Sequence, residues 1–144
     1  MCTVAIGIIF SYSSVMSVQI LIAGDEGINR LFVKTILVAN GWTVEDVSNG
    51  RDAVDIFENT PFDIVILDVK MPVMGGKLAA SEIRSIEEKQ GREPAVLLGL
   101  TAYAEKELVD ELMQHGMNGV IHKPITEGAL IRKINGMLES RDPE

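Results

Sequence analysis

The feature that most constrains this chain is an alternation repeated five times: a short apolar run, a polar turn, then a stretch with apolar residues at helical spacing. The runs at 18–23 (VQILIA), 64–67 (IVIL) and 95–100 (AVLLGL) are apolar on both faces and too short for buried helices, so they read as buried strands. Residues 43–47 alternate Val44 and Val47 with acids, as a strand nearer a sheet edge would, and 119–122 is a short fifth strand. Between them lie helices at 28–40 (Phe32, Val33, Ile36 and Leu37 inward), 51–58 (Ala53, Val54, Phe57), 77–89 (Leu78, Ala79, Ile83, Ile86), 104–115 (Leu108, Leu112, Met113) and 126–138. Asn40-Gly41 and Gly116 supply stops, and Thr126 a cap. Such β-α alternation predicts an α/β domain, a five-stranded parallel sheet with helices on both faces.

Right-handed crossovers bring the carboxyl ends of all strands to one edge, where open α/β sheets bind ligands. The residues that fall there are Asp25 after the first strand, Asp68 after the third, Thr101 after the fourth and Lys123 after the fifth. Met71-Pro72 and Gly75-Gly76 stop the third strand and make the loop beyond Asp68. Any one of these residues reads as turn chemistry. Two carboxylates, a hydroxyl and an ammonium on one rim do not.

The totals remove several classes of function. A formal net charge of −8 and a pI near 4.8 argue against nucleic-acid binding and against a basic membrane patch. A single cysteine, Cys2, excludes an internal disulfide framework, and no Cys/His spacing suggests zinc. The apolar stretch 4–10 falls well short of the ~20 residues of a membrane span and lacks a basic flank. Residues 1–17 are therefore expected to be a non-catalytic extension, 18–140 the domain, and 141–144 a tail.

Two neighbouring carboxylates repel unless a cation intervenes, and an oxygen-only pair suits Mg²⁺. A carboxylate can also be a nucleophile that forms an aspartyl-phosphate. The charge of the transferring group would then be met by the metal, the Lys123 ammonium and the Thr101 hydroxyl, with Ala102 leaving space. There is no Gly-rich phosphate loop and no histidine suited to act as a base, so the set reads as a phosphoryl acceptor.

On Ile20-Leu21-Ile22-Ala23 with Asp25, Ile28-Asn29-Arg30, Leu67-Asp68 with Met71-Pro72-Val73-Met74 and Gly76, Leu100-Thr101-Ala102, and Lys123-Pro124-Ile125, the chain resembles the receiver domain of two-component response regulators. The wording of the motifs is most similar to receivers of hybrid sensor histidine kinases. The resemblance implies a doubly wound, flavodoxin-like sheet of order 2-1-3-4-5. It implies a phosphoryl group passed from a phosphohistidine, on a histidine kinase or phosphotransfer protein, to Asp68. It further implies Mg²⁺ held by Asp25, Asp68 and the Lys70 backbone carbonyl, a cis Lys123-Pro124 bond, a cytoplasmic location, and signalling through protein contacts as a monomer.

The pattern is broken in places. The family usually has two adjacent acids after the first strand; here Gly24 holds the first place, which implies weaker metal binding with phosphorylation retained. The alternative is a pseudo-receiver that docks partners without phosphorylation. Gly75 replaces a common Asp, and Val120 stands where an aromatic often swings inward. Lys70, at the mouth of the site, reads as a solvated loop lysine, and Tyr103 as a surface aromatic. His115 and His122 read as structural. A second apolar stripe on the first helix (Ile28, Leu31, Thr35, Val38) either packs on a neighbour or, with Pro124, docks the phosphohistidine partner. A flavin binder of the same topology is disfavoured, because Gly24-Asp25-Glu26-Gly27 presents acids to an anionic cofactor.

Overall fold

A computed structural model describes residues 18–141. The expectations for 1–17, Cys2 included, and for 142–144 lie outside the described residues. Five strands, β1 (Gln19–Ala23), β2 (Thr43–Val47), β3 (Ile64–Asp68), β4 (Val96–Thr101) and β5 (Gly119–His122), alternate with five helices. These are α1 (Gly27–Ala39), α2 (Gly50–Asn59), α3 (Gly76–Gln90), α4 (Lys106–Gln114) and α5 (Glu127–Arg141). The sheet order is β2-β1-β3-β4-β5, and all four pairings are parallel.

The strands lack in-out polarity because two cores need them. Along β1, β3 and β4 alternate side chains serve opposite layers, as the period of two requires. Leu21, Val65 and Leu67, and Leu97 pack with Ala53, Val54 and Phe57 of α2 and Ala79, Ala80 and Ile83 of α3. Ile20, Ile64 and Ile66, and Leu98 pack with Val33, Ile36 and Leu37 of α1 and Leu130 and Ile134 of α5. β3, central and buried along its whole length, is thereby fixed in register, since a one-residue slip would exchange the two cores. Truncating Ile64 or Leu97 to alanine would cost about 2–5 kcal/mol.

Local signals set the element ends. Asn49 caps α2, its side chain accepting from the Asp52 N–H at 2.9 Å. Gly41 (φ +95°) and Gly116 (φ +108°) take the left-handed turns that stop α1 and α4. Thr126 caps α5 by accepting from the Ala129 N–H at 3.2 Å. The fourth helix starts at Lys106, two residues later than its sequence pattern suggests, because residues 102–105 form the exit from β4.

Three expected core residues lie outside. Phe32, Leu78 and Met113 are 47 %, 52 % and 43 % exposed. Each adjoins a helix's apolar stripe, but a 100° step carries it past the edge of the buried face. Val33, Ala79 with Ala80, and Leu112 take the buried positions instead.

Candidate functional site

The site begins with the end of β3. Asp68 is the last residue of that strand, 4 % exposed, and is paired in register with Leu100 of β4. The chain turns immediately: the Val69 N–H bonds the Leu100 carbonyl at 3.0 Å, and the Gly76 N–H bonds the Val69 carbonyl at 3.0 Å. A side chain at Gly76 would drive its Cβ into the Asp68 carbonyl, so this close return of the loop needs glycine. Val73, at φ +68° and 82 % exposed, takes a left-handed conformation that a β-branched residue adopts at a cost. The loop beyond Asp68 is therefore specified by its backbone.

Lys123, one residue past β5, reaches across to Asp68, its Nζ 2.7 Å from Oδ1. That buried oxygen is thus satisfied by a charged partner from the neighbouring strand end. The peptide joining Lys123 to Pro124 is cis. Burial pushes the Asp68 carboxyl above the ordinary carboxylate range. Lys123 pulls it back down, and Asp25 and Glu26 push it up again. Those last two influences place both acids of the first loop within electrostatic reach of Asp68.

The first loop is built around Gly24. A Cβ there would lie 2.7 Å from Asp68 Oδ2, so the Asp68 carboxylate occupies the space next to Gly24 that a side chain would claim. Arg30 of α1 holds this loop from behind: its Nη1 donates to the Gly24 carbonyl at 2.6 Å and its Nε to Asp46 of β2 at 2.8 Å. Lys34 Nζ also donates to Asp46, at 2.9 Å, and the two cations hold the Asp46 carboxyl below its usual range. Glu26 accepts a hydrogen bond from the Asn29 side chain. Asp25 is exposed on the rim.

Thr101, the last residue of β4, is 5 % exposed. Its hydroxyl donates to the Tyr103 carbonyl at 2.9 Å and accepts from the Tyr103 N–H at 3.0 Å. Lys70 is exposed at the mouth, with its Nζ 5.3 Å from the centre of the Tyr103 ring. Lys70 is solvated, as expected, and in addition lies over an aromatic face. Ile28 and Leu31, 84 % and 63 % exposed, stand on the outer face of α1 beside this rim. A groove of about 450 Å³ next to them is lined by Asn29, Phe32, Ala102, Lys123, Pro124 and Ile125.

So one rim gathers Asp25, Asp68, Thr101 and Lys123, all named from the sequence. The Thr101 hydroxyl is engaged with Tyr103. The sequence reading assigned no role to Arg30; its only signal was membership of the Ile28-Asn29-Arg30 motif, since Asp46 lies 16 positions away.

The arrangement has counterparts. Residues 20–135 match the model of the response regulator receiver domain family. The chain belongs to that family. It is 34 % identical over 130 residues to the sensor histidine kinase GacS of Pseudomonas protegens, a match covering 88 % of this chain and 14 % of that protein. The chain thus spans about a seventh of that relative's length. Among solved structures it is similar to the receiver domain of the Pseudomonas aeruginosa sensor histidine kinase PA1611, with magnesium coordinated in the active-site cleft. That likeness has a TM-score of 0.74 and 28 % identity, covering 83 % of this chain and 96 % of that one. It is also similar to the receiver domain of Ssk1 from Saccharomyces cerevisiae, solved with the histidine phosphotransfer protein Ypd1. There the TM-score is 0.79 at 26 % identity, covering 83 % of this chain and 87 % of that one. The sheet order expected from the resemblance is the one observed, and receiver domains are signalling modules of two-component systems.

The donor set of this receiver fits a hard divalent cation. Beside the Lys123 ammonium on Asp68 Oδ1, the groups within electrostatic reach of Asp68 are the carboxylates of Asp25 and Glu26, oxygen donors of the kind such a cation takes. Among the described residues no three His, Cys, Asp or Glu side chains gather closely enough to hold a metal by themselves.

Proposed function

We propose that this receiver domain accepts a phosphoryl group on Asp68 from a phosphohistidine, with Mg²⁺ held by Asp25, Asp68 and the Lys70 backbone carbonyl, and signals by protein contact. The reading is carried by one observation, a buried strand-end carboxylate whose cationic partner among the described residues is Lys123 at 2.7 Å. In the transfer an Asp68 oxygen attacks phosphorus as the P–N bond of the donor breaks. The imidazole leaves with the electron pair and takes its proton from water. Lys123 stays beside the new acyl phosphate and offsets its charge, and Thr101 supplies a hydroxyl once it leaves Tyr103. Bound Mg²⁺ would neutralise the phosphoryl oxygens and lessen the repulsion between Asp68 and the incoming anion.

The donor is a histidine kinase or a histidine phosphotransfer protein. Ile28 and Leu31 on α1 and Pro124 at the adjoining groove form an apolar surface next to the phosphoacceptor, where a helix bearing the phosphohistidine would lie. The likeness to the Ssk1 receiver, solved with Ypd1, supports that placement.

Gly24 favours a second reading, a pseudo-receiver that docks partners without phosphorylation, since it leaves Asp25 and Asp68 as the acids of the proposed metal site. Intact mass after incubation with acetyl phosphate, with and without Mg²⁺, separates the two. A Mg²⁺-dependent gain of one phosphoryl group, absent in Asp68→Asn, is the expected result. No gain from acetyl phosphate or from a phosphorylated histidine kinase would leave the docking module.

A further inference from the structure

We propose that Tyr103 is a positioning residue for the phosphoryl site, holding Lys70 back from the mouth until an anionic phosphodonor draws it away. The proposal rests on the phosphoacceptor reading above.

The geometry is specific to this rim. Lys70 lies two residues beyond Asp68 and Tyr103 two beyond Thr101, on the loops leaving adjacent strands β3 and β4. The mouth holds Asp25, Glu26 and Asp68, so an ammonium there has carboxylates to choose from. Lys70 nevertheless makes no ion pair among the described residues, and its Nζ lies 5.3 Å from the Tyr103 ring centre. The Tyr103 backbone, from which the ring projects, is anchored, because it both donates to and accepts from the buried Thr101 hydroxyl, at 3.0 and 2.9 Å. Tyr103 thus touches both groups that a phosphoryl anion on Asp68 would recruit: Lys70 through its ring and Thr101 through its backbone.

The strengths of these contacts set the direction. A cation over an exposed aromatic face is held weakly, whereas a doubly charged phosphoryl group attracts an ammonium in a partly dry cleft more strongly. An arriving phosphodonor therefore wins Lys70 from the ring. The Tyr103 ring lowers the population of free Lys70, and with it the rate at which anionic donors are captured.

A double-mutant cycle reads this directly. The initial rate of Mg²⁺-dependent phosphorylation by acetyl phosphate is followed by intact mass in wild type, Tyr103→Ala, Lys70→Met and the double variant. Tyr103→Phe, which keeps the ring and the backbone bonds, is the conservative control. Tyr103→Ala is expected to speed labelling about two- to fivefold, Tyr103→Phe to match wild type, and the gain to vanish on the Lys70→Met background. Equal effects of Tyr103→Ala with and without Lys70 would overturn the proposal, as would an unchanged rate in Tyr103→Ala. The contact itself is read without any donor, from the upfield ring-current shift of the Lys70 side-chain protons in the NMR spectrum. That shift is expected in wild type and lost in Tyr103→Ala. Its absence in wild type overturns the clasp, whereas its presence in a protein that takes no phosphoryl group overturns the phosphoacceptor reading alone.

Discussion

Asp68 carries a stability cost at the place where the fold puts it. Burial raises its carboxyl, and Lys123 only partly offsets this. A raised pKa means that the native state binds a proton more tightly than the unfolded chain does, so ionised Asp68 opposes folding above its folded pKa. The penalty is relieved as the pH falls through that value. Asp68→Asn should therefore raise the Tm at pH 7.5 by about 2–5 °C, with the advantage shrinking as the pH is lowered, followed by thermal unfolding in a pH series. Gly24 acts at the same scale by steric means. In Gly24→Ala the new Cβ meets Asp68 Oδ2, and the carboxylate must turn from its place beside Lys123. Displacement of a nucleophile by about 1 Å costs about 10- to 100-fold in rate, so labelling of Gly24→Ala by acetyl phosphate should slow by that order while the fold survives.

The helices and strands explain what could be read from residues alone and what could not. Strand runs such as 64–67 were legible because burial on both faces leaves an unbroken apolar sequence, and their ends then named Asp68, Thr101 and Lys123. Phe32 was not legible. A phenylalanine beside Val33 and Ile36 looks like core, and only the path of the loop after β5 shows that it lines a groove with Pro124 and Ile125. Arg30 and Asp46 escaped because their pairing depends on how α1 crosses β2. That pair makes an element-scale prediction. Asp46 has a lowered folded pKa, so its contribution is present above the unfolded value near 3.8 and lost as the pH falls through the lower folded one. Asp46→Asn should cost about 0.5–1 kcal/mol at pH 7, being partly exposed, and the gap to wild type in urea unfolding should close in strong acid. The outer face of α1 makes another. Leu31→Glu places a charge on an already exposed position, so its Tm should match wild type and acetyl phosphate should still label it. Transfer from a phosphorylated histidine phosphotransfer protein should fall tenfold or more. Equal losses with both donors would remove α1 from the docking surface.

At the scale of the whole molecule, a net charge of −8 means that any added cation relieves some self-repulsion. A rise in Tm with Mg²⁺ is therefore not by itself a sign of a site. Binding and screening part company in two ways. Screening depends on ionic strength and is indifferent to any one rim residue. Binding to the native state adds RT ln(1 + [Mg²⁺]/Kd), about 1.4 kcal/mol at ten times Kd, and vanishes when a ligand is removed. Differential scanning fluorimetry across a MgCl₂ series, with NaCl at matched ionic strength, should give a saturable excess shift of a few degrees in wild type. Asp25→Ala should abolish that excess and keep the NaCl response, because Asp25 is exposed and carries no packing. An excess that survives in Asp25→Ala would place the cation elsewhere on the acidic surface. The first loop would then have lost its metal together with its first carboxylate, and Asp68 would stand opposite Lys123 without the ion that phosphoryl transfer calls for.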